Sequence, residues 1–412
     1  MRRFVIILAS AGLMLTACWH NQDLGDLYSN EYKPLELTTK GGEFVQKGEA
    51  FNFEFIERIN SKALSDYIIS PLSMQFLLGM ILNGAQGETA EQVAAVLGYG
   101  AGEKEAVNEF AASVLNQLPK LDRLTGVLIA NAIFVDDGWP LKEAYKKEVG
   151  EAYKAEISNL DFSNNDESLK VINGWCKKHT NGMIEKVLDE VDPGMLCYLL
   201  NALYFKGMWK EKFNKSNTAQ EEFVTEGSCD IGMVPMMKQT KKFAYSENKC
   251  FQAVRLPYGN GAFSMTVLLP KSGYGVADAI ATLRALGWED FCRDFETCEV
   301  DLWLPRFETK FNMMLNDMLK AMGMPDAFDA AKADFTPLSD YALRLSFVQQ
   351  HAAIKVDEEG TEAAAVSSAG FEKNAAMPVD DAVFHADHTF LYLITENSTG
   401  VVLFAGRFGN VK

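Results

Sequence analysis

The spacing of hydrophobic residues changes from helical to strand-like along the chain. Residues 51–60 and 71–82 carry apolar side chains at helical spacing, and Ser70 before a proline is a typical helix start. Residues 128–135 and 199–205 are almost wholly apolar, which predicts strands buried on both faces. Further helices are predicted at 89–97, 168–179 and 312–322, and further strands at 242–269, 300–307, 390–394 and 401–404. Helices dominate the first half and strands the second, so the pattern predicts an α+β protein with large sheets.

One segment near the C-terminus, residues 356–378, has no apolar stripe of the kind a core helix needs. Its glycine, alanine and serine residues suit an exposed, protease-accessible loop. The same small side chains would also let the segment enter a sheet as a strand between two others. Alternate residues of such a strand share a face. One face carries Thr361, Ala363, Ala365 and Ser367, and the other carries Glu362, Ala364, Val366 and Ser368.

The N-terminus has the pattern of an export signal. Two arginines precede an apolar run at residues 4–15, which is too short to span a bilayer comfortably. The ending Leu15-Thr16-Ala17-Cys18 resembles a bacterial lipoprotein signal, in which Cys18 is acylated; the alternative is an ordinary cleaved signal with a chance cysteine. We therefore predict a signal peptide at 1–17, an acylated tether at 18–44 and one globular domain at 45–412.

Charge and cysteine content narrow the class of protein. The formal net charge is −17, and −19 once Arg2 and Arg3 leave with the signal, which argues against nucleic-acid binding. Because an acidic surface is not attracted to anionic membrane lipids, we expect the lipid on Cys18, and not a polybasic patch, to hold the protein at a membrane. The seven cysteines are irregularly spaced, without a Cys-x-x-Cys motif, so neither a zinc site nor a redox motif is indicated. A local pairing of Cys292 with Cys298 stays open.

The sequence offers no catalytic motif. It lacks a Gly-x-Ser-x-Gly elbow, a His-Glu-x-x-His pair and a phosphate-binding loop. Only five histidines are present, and His385 with His388 has no further ligand nearby to complete a metal set. We predict no enzyme activity, no metal and no cofactor.

Ten short stretches, in this order, resemble those of the serpin family over residues 45–412. They are SPLS (70–73), GAQGET (84–89), ANAIF (130–134), INGW (172–175) with TNGMI (180–184), NALYFKGMW (201–209), VPMM (234–237), LPRF (304–307), MGM (322–324) with AF (327–328), EEGTEAAA (358–365) and FHADHTF (384–390). The resemblance implies about nine helices around three β-sheets, with an exposed reactive-centre loop at about 358–380.

The resemblance also implies an activity. Serpins are suicide-substrate inhibitors: a target protease attacks the loop, and the cleaved loop inserts into the central sheet and traps the acyl-enzyme. The expected partner is a serine protease, with cysteine proteases as a second class, bound by a monomer that lipid anchors to the bacterial cell envelope, facing either the periplasm or the medium. A non-inhibitory serpin that acts as a binding protein is the alternative. The small, uncharged face that begins at Thr361 favours the inhibitor.

Roles for single residues also come from the resemblance. The hinge comprises Glu358, Glu359, Gly360, Thr361, Glu362, Ala363, Ala364, Ala365, Val366 and Ser367. A polar shutter beneath the central sheet comprises Ser70, Ser73, Asn201 and His351, with Trp209 at the breach where the loop enters and Arg306 paired with Glu358. The usual loop length puts the reactive bond at Asn374-Ala375. Cleavage after Lys373 would suit a trypsin-like target, cleavage after Phe371 a chymotrypsin-like one, and cleavage after Ala375 or Ala376 an elastase.

Overall fold

The computed structural model describes residues 30–63, 65–227, 231–361 and 382–409. Nine α-helices lie in these ranges, and none of them is long and apolar enough to cross a membrane. They are α1 (Thr39–Lys62), α2 (Pro71–Gly84), α3 (Gly87–Val96), α4 (Lys104–Gln117), α5 (Glu143–Tyr153), α6 (Asn165–His179), α7 (Val276–Leu286), α8 (Trp288–Arg293) and α9 (Asn316–Met322). The predicted signal peptide and Cys18 lie outside the described residues.

The first helix begins inside the segment that the sequence assigned to a tether. The side chain of Thr38 caps α1 by accepting a hydrogen bond from the N–H of Gly41 at 3.1 Å. Phe44 is buried, and its ring meets that of Tyr99 edge-on with centroids 4.7 Å apart. Leu35, before the helix, is also buried. The packed part of the chain therefore begins before residue 45.

The central sheet has six strands in the order β10-β11-β12-β4-β2-β3. Its long members β4 and β2 pair antiparallel from Thr125 opposite Gly207 to Val135 opposite Cys197. The short strand β12 separates β4 from β11. The bounds are β2 (Thr125–Asp136), β3 (Glu156–Leu160), β4 (Cys197–Met208), β10 (Phe307–Met314), β11 (Gln349–Asp357) and β12 (Gly360–Thr361).

The other strands form one hydrogen-bonded network of nine, in the order β1-β15-β14-β8-β7-β6-β9-β13 with β5 on β6. The 17-residue β6 joins what the sequence resemblance presented as two separate sheets, because it pairs with β5, β7 and β9 at different points. The bounds are β1 (Tyr67–Ile69), β5 (Ala219–Val224), β6 (Ile231–Glu247), β7 (Phe251–Pro257), β8 (Phe263–Pro270), β9 (Glu296–Pro305), β13 (Ala382–His385), β14 (Phe390–Glu396) and β15 (Val402–Phe408).

The two faces of the central sheet are covered by different groups of side chains. The large core on one face includes Leu78 of α2, Phe205 of β4 and apolar residues of the nine-stranded network such as Leu256. A smaller core on the other face packs α6 against the sheet through residues such as Ile172 and Tyr198. Both faces are covered only in the part of β2 that includes Ala132 and Phe134; nearer its start Leu128 is 41% exposed, so the predicted burial on both faces holds for only part of the strand.

Four of the five predicted helix starts differ from the structure: the helices begin at Thr39, Gly87, Asn165 and Asn316, where the sequence predicts 51, 89, 168 and 312. Residues 312–314 belong to β10 because they pair with β11, for example Asn312 opposite His351, and the helix begins only at Asn316. Helix α3 begins at Gly87, while Thr89 is buried within it and accepts a hydrogen bond from the N–H of Asp334 at 3.0 Å.

The local pairing of Cys292 with Cys298, which the sequence left open, is not formed, since Cys292 is a free thiol. Cys176 and Cys197 are free as well, and burial raises the pKa of each thiol to about 12.

Candidate functional site

The hinge begins with a tight reversal at the end of β11. After Asp357 the chain turns through Glu358 and Glu359, and Gly360–Thr361 then runs back between two strands. Thr361 pairs with Val356 of β11 on one side and with Gly207 of β4 on the other. Two residues of the predicted hinge thus already form a strand inside the sheet.

Only glycine fits at the entry of this strand. Gly360 has a φ of +152°, and a Cβ added to it would collide with the carbonyl oxygen of Gly207. A side chain at Gly207 would in turn press on the ring of Tyr258 at 2.7 Å. Gly360 and its close neighbour Gly207 of β4 both lack a side chain, which makes this close approach of the two backbones possible.

Glu358 anchors the turn. Its side chain is 2% exposed and forms an ion pair with Arg306, and it also accepts a hydrogen bond from the Thr218 hydroxyl at 2.6 Å. Burial acts to raise the pKa of this carboxyl, but the hydrogen bonds from Arg306 and Thr218 outweigh it and lower the pKa. The backbone oxygen of Glu358 accepts from the N–H of Phe213 at 3.0 Å. The predicted pairing of Arg306 with Glu358 is present in the structure.

Glu359 is held more loosely, at the surface. It forms ion pairs with Lys212 at 2.9 Å and Lys215 at 3.3 Å. The hydrogen bond from Lys212 is the main cause of the lowered pKa of this carboxyl. The two adjacent glutamates therefore differ: the side chain of Glu358 is 2% exposed and that of Glu359 is 17% exposed and bound to two lysines.

Trp209, which the resemblance assigns to the breach, lies beside the turn that leads into β12. Its indole Nε1 donates to the carbonyl oxygen of Asp357 at 2.9 Å, and its ring stacks on Tyr258 with centroids 4.4 Å apart. The Tyr258 hydroxyl lies 2.7 Å from the Oγ1 of Thr361, which is 2% exposed. Trp209 and Tyr258 thus position both sides of the hinge.

A polar cluster lies beneath the same strands, further down the sheet. Ser70 caps α2 by accepting from the N–H of Ser73 at 3.1 Å, and the Ser73 hydroxyl donates to Asn201. Asn201 then donates to Asn131 at 2.6 Å. The chain of bonds ends at the carbonyl oxygen of Tyr153, to which Asn131 donates at 2.6 Å. Three of the four predicted shutter residues meet here.

The fourth, His351, is not part of this cluster, and Gln350 takes its place. The Gln350 amide donates to the carbonyl oxygen of Ser70 at 2.8 Å and accepts from the N–H of Ser70 at 3.2 Å. His351 Nε2 is buried without a hydrogen-bond partner. Burial lowers the pKa of His351, and nearby Asp189 opposes that shift. The period of two in β11 explains the correction, because Gln350 shares the inner face with Ile354 while His351 lies on the opposite one.

Below β12 the two flanking strands part. Among the described residues, β12 is the only strand that pairs with both β4 and β11, and it does so only at the Val356–Asp357 end of β11. We call the space between β4 and β11 below β12 the sheet gap. A cavity of about 320 Å³ lies at its lower end, lined by residues that include Cys197, Leu199 and Val348. A smaller one of about 30 Å³ adjoins Ser73, Asn201 and His351.

The rest of the predicted loop lies outside the described residues. That holds for the hinge residues Glu362, Ala363, Ala364, Ala365, Val366 and Ser367, and for Phe371, Lys373, Asn374 and Ala375 at the candidate reactive bonds. In the described ranges no group of three or more His, Cys, Asp or Glu side chains is placed to hold a metal. His385 instead lies 2.8 Å from Asp301, and His388 lies 2.7 Å from Asp387.

The sequence did not single out Gln350, Asn131, Thr218 or Tyr258. For Gln350 a signal existed, because counting in twos from Val356 places Gln350 and not His351 on the inner face. Thr218 and Tyr258 carry no such signal, since they meet the hinge only through the folding of distant segments.

The fold and the site together define an α+β protein whose central sheet holds a two-residue strand between β4 and β11. The chain matches the family described as "Serpin (serine protease inhibitor)" over residues 46–411. It is 32% identical over 366 residues to an uncharacterised serpin-like protein of Thermococcus kodakarensis, covering 88% of this chain and 84% of that one. It is 30% identical over 386 residues to human neuroserpin, covering 90% and 93%. The chain belongs to the serpin family.

The solved structures agree with this assignment. The native state of tengpin, a thermophilic serpin, superimposes with a TM-score of 0.81 at 28% identity, covering 92% of this chain and 97% of that one. The predicted α+β serpin fold is confirmed.

Proposed function

We propose that this serpin is a suicide-substrate inhibitor of serine proteases, which traps them by inserting its cleaved loop into the sheet gap. The observation that carries the proposal is the position of Gly360–Thr361, already paired between β11 and β4 at the top of the gap. A strand that continued from Thr361 would run down between the same two partners. The hinge is thus aligned for insertion before any cleavage.

The chemistry belongs to the protease, and the serpin supplies the substrate. The protease serine attacks a loop carbonyl carbon, forming an ester to its Oγ while the peptide C–N bond breaks. The leaving amine takes its proton from the protease histidine. Once the chain is cut, the segment that begins at Thr361 is free to enter the sheet and carries the esterified protease with it. Distortion of the protease oxyanion hole then stops water from completing hydrolysis.

The energy for this distortion would come from the new strand. Inserting about a dozen residues creates a comparable number of backbone hydrogen bonds, each worth roughly 1 kcal/mol net. The sum, on the order of 10 kcal/mol, is similar to the whole stability of an ordinary domain. Insertion therefore releases enough free energy to deform a second protein.

The residue types along the inserting face support an inhibitor over a non-inhibitory binding protein. Thr361 is buried where it enters, and the positions that follow on its face are Ala363, Ala365 and Ser367. All are small and uncharged, so a strand carrying them brings no bulky side chain and no charge that would have to be desolvated. A non-inhibitory serpin would not need small, uncharged residues at these positions.

The direct test mixes the purified protein with trypsin-, chymotrypsin-, subtilisin- and elastase-like proteases and with a cysteine protease. We expect a complex that survives boiling in SDS with at least one serine protease. Sequencing the N-terminus of the released fragment identifies the reactive bond; Asn374-Ala375 and cleavage after Lys373 are the leading candidates, and cleavage after Phe371 remains open. Cleavage without a stable complex across the panel would contradict the inhibitor and favour a binding protein.

We also propose that the protein acts at the bacterial cell envelope, anchored by lipid on Cys18. The support is the lipoprotein-like ending at residues 15–18 and the net charge of −17, which offers no electrostatic attraction to anionic lipid. Labelling cells with a fatty-acid analogue tests this: the full chain should take up the label and Cys18→Ser should not. Equal labelling of the two would contradict the anchor.

A further inference from the structure

The lower end of the sheet gap is an apolar cavity, in contrast to the polar cluster above it. The cavity of about 320 Å³ is lined on the side of the large core by Leu77 and Ile81 of α2 and by Leu338. Cys197 and Leu199 of β4 also line it and remain only partly buried. Apolar surface at this place is left in contact with solvent, and covering it would be favourable.

The pairing of β12 sets the register of any strand that continues from it. Thr361 lies opposite Gly207 of β4 and Val356 of β11, and both pairings are antiparallel. Each further residue of the loop therefore moves one residue back along both neighbours. Ser367 would lie between Asn201 and Gln350, beside the polar cluster. Phe371 would lie between Cys197 and Ser346, both of which line the cavity.

The direction of the side chain follows from the period of two. Thr361 points into the large core, since it is buried and lies 2.7 Å from the Tyr258 hydroxyl. Phe371 is an even number of residues away and would share that face. Leu199 and Val348, which would flank the strand at position 369, also pack with the large core. The cavity and the Phe371 ring would thus meet on the same side of the sheet.

Position 370, the residue before Phe371, would lie on the opposite face of the sheet, where there is little room for a side chain. Position 370 would lie between Tyr198 of β4 and Phe347, whose rings are in contact across the sheet gap with centroids 5.6 Å apart. These two rings belong with the smaller core under α6. Residue 370 is glycine, so a strand passing between the rings adds no side chain on that crowded face.

We propose that Phe371 is the terminal anchor of the inserted loop: its ring fills the cavity at the lower end of the sheet gap, while Gly370 passes between Tyr198 and Phe347. This inference rests on the proposed function, because it requires the loop to enter the sheet as far as residue 371. It assigns the cavity one occupant, a segment of this same chain. It also requires the target protease to cut the loop beyond the Phe371-Glu372 bond, so that Phe371 is not the residue esterified to the protease.

The experiment compares intact and cleaved forms of the wild type, Phe371→Ala and the matched control Glu372→Ala, whose side chain would point to the other face. Each protein is cut between residues 372 and 373 by a metalloprotease that recognises Lys373, which is the same in all three, with the position checked by mass spectrometry, and its Tm is recorded. We expect the three intact Tm values to agree, and the cleaved Phe371→Ala form to melt about 4 °C below the other two cleaved forms. Equal Tm values for all three cleaved forms would overturn the anchor, as would an equal loss in the intact variant.

The same comparison separates this inference from the proposed function. If no cleaved form melts higher than its intact form, loop insertion itself fails and both proposals fall. If all cleaved forms gain the same Tm, insertion stands and only the anchor falls. A synthetic peptide of residues 362–372, annealed to the intact protein, supplies a protease-free check: the peptide with phenylalanine at 371 should raise the Tm more than one with alanine, and equal effects would contradict the anchor.

Discussion

The two ends of the sheet gap are built from different chemistry. At the upper end, Gly360–Thr361 is already a strand, and Glu358 fixes the turn through Arg306 and Thr218. At the lower end, apolar side chains surround a cavity, and no described strand bridges β4 and β11. Specific hydrogen bonds set register, whereas apolar surface supplies a driving force without direction. If the proposed insertion takes place, the upper end would align the loop and the lower end would stabilise its final position.

The largest expected effect comes from blocking the upper end. Thr361→Arg places a charge where the wild-type side chain is buried against Tyr258, and an unpaired buried charge is costly. A barrier raised by only ~1.4 kcal/mol slows insertion about tenfold, so the variant should be cut as a substrate with little complex formed. SDS gels with the identified target protease measure the ratio of complex to cleaved product. Glu362→Arg, on the opposite face, is the control and should still form complex; a stable complex with Thr361→Arg would show that the hinge does not enter at this register.

The second-largest effect is expected from Glu358, which holds the turn before β12. Glu358→Gln leaves Arg306 without its carboxylate and weakens the contact to Thr218, so the intact protein should lose about 2 kcal/mol of unfolding free energy. The neighbouring variant Glu359→Gln, which removes only surface ion pairs, should lose about 0.5 kcal/mol. Urea unfolding of both variants gives the comparison. Equal losses would mean that the buried position of Glu358 adds nothing.

The polar cluster between the two ends offers a comparison of adjacent residues. Gln350→Ala leaves the backbone N–H and carbonyl oxygen of Ser70 without their partner in a buried place, which should cost about 1–2 kcal/mol. His351→Ala removes a side chain whose buried nitrogen has no partner, so the loss should be smaller, about 0.5 kcal/mol. Urea unfolding decides the order. A larger loss of unfolding free energy for His351→Ala than for Gln350→Ala would mean that His351 belongs to the polar cluster.

The smallest effect is a dependence on pH. The pKa of Glu358 is lowered in the folded protein, so its stabilising contribution is complete above the pKa of the unfolded chain. That contribution is lost as the pH falls through the lowered folded-state pKa. The stability difference between wild type and Glu358→Gln should therefore be constant near neutrality and shrink in acid. A difference that persists unchanged in acid would show that the carboxylate charge is not what holds the turn.

The sequence predicted much of this arrangement because the main patterns are local. The apolar runs at 128–135 and 199–205 lie within β2 and β4, and Ser70 caps α2 as its place before proline indicates. The glutamate, glycine and threonine of the hinge were identified because their motif is contiguous.

The features that the sequence did not predict correctly depend on contacts between distant segments. The pairing of β10 with β11 extends through Met314 and delays the next helix, which residues 312–322 alone do not reveal. His351 was placed in the polar cluster by resemblance, although the alternation of β11 assigns the inner face to Gln350. The cavity depends on residues from α2, β4 and the segment before β11 together, so no single stretch of sequence could indicate it.

The central claim is that the cleaved loop reaches a lower free energy inside the sheet gap than the intact loop has outside it. The most direct measurement is the Tm of the protein before and after a single cut between residues 371 and 377. We expect the cleaved form to melt well above the intact form, because the inserted strand adds hydrogen bonds to both β4 and β11 and covers the cavity. An equal Tm for the two forms would contradict the account.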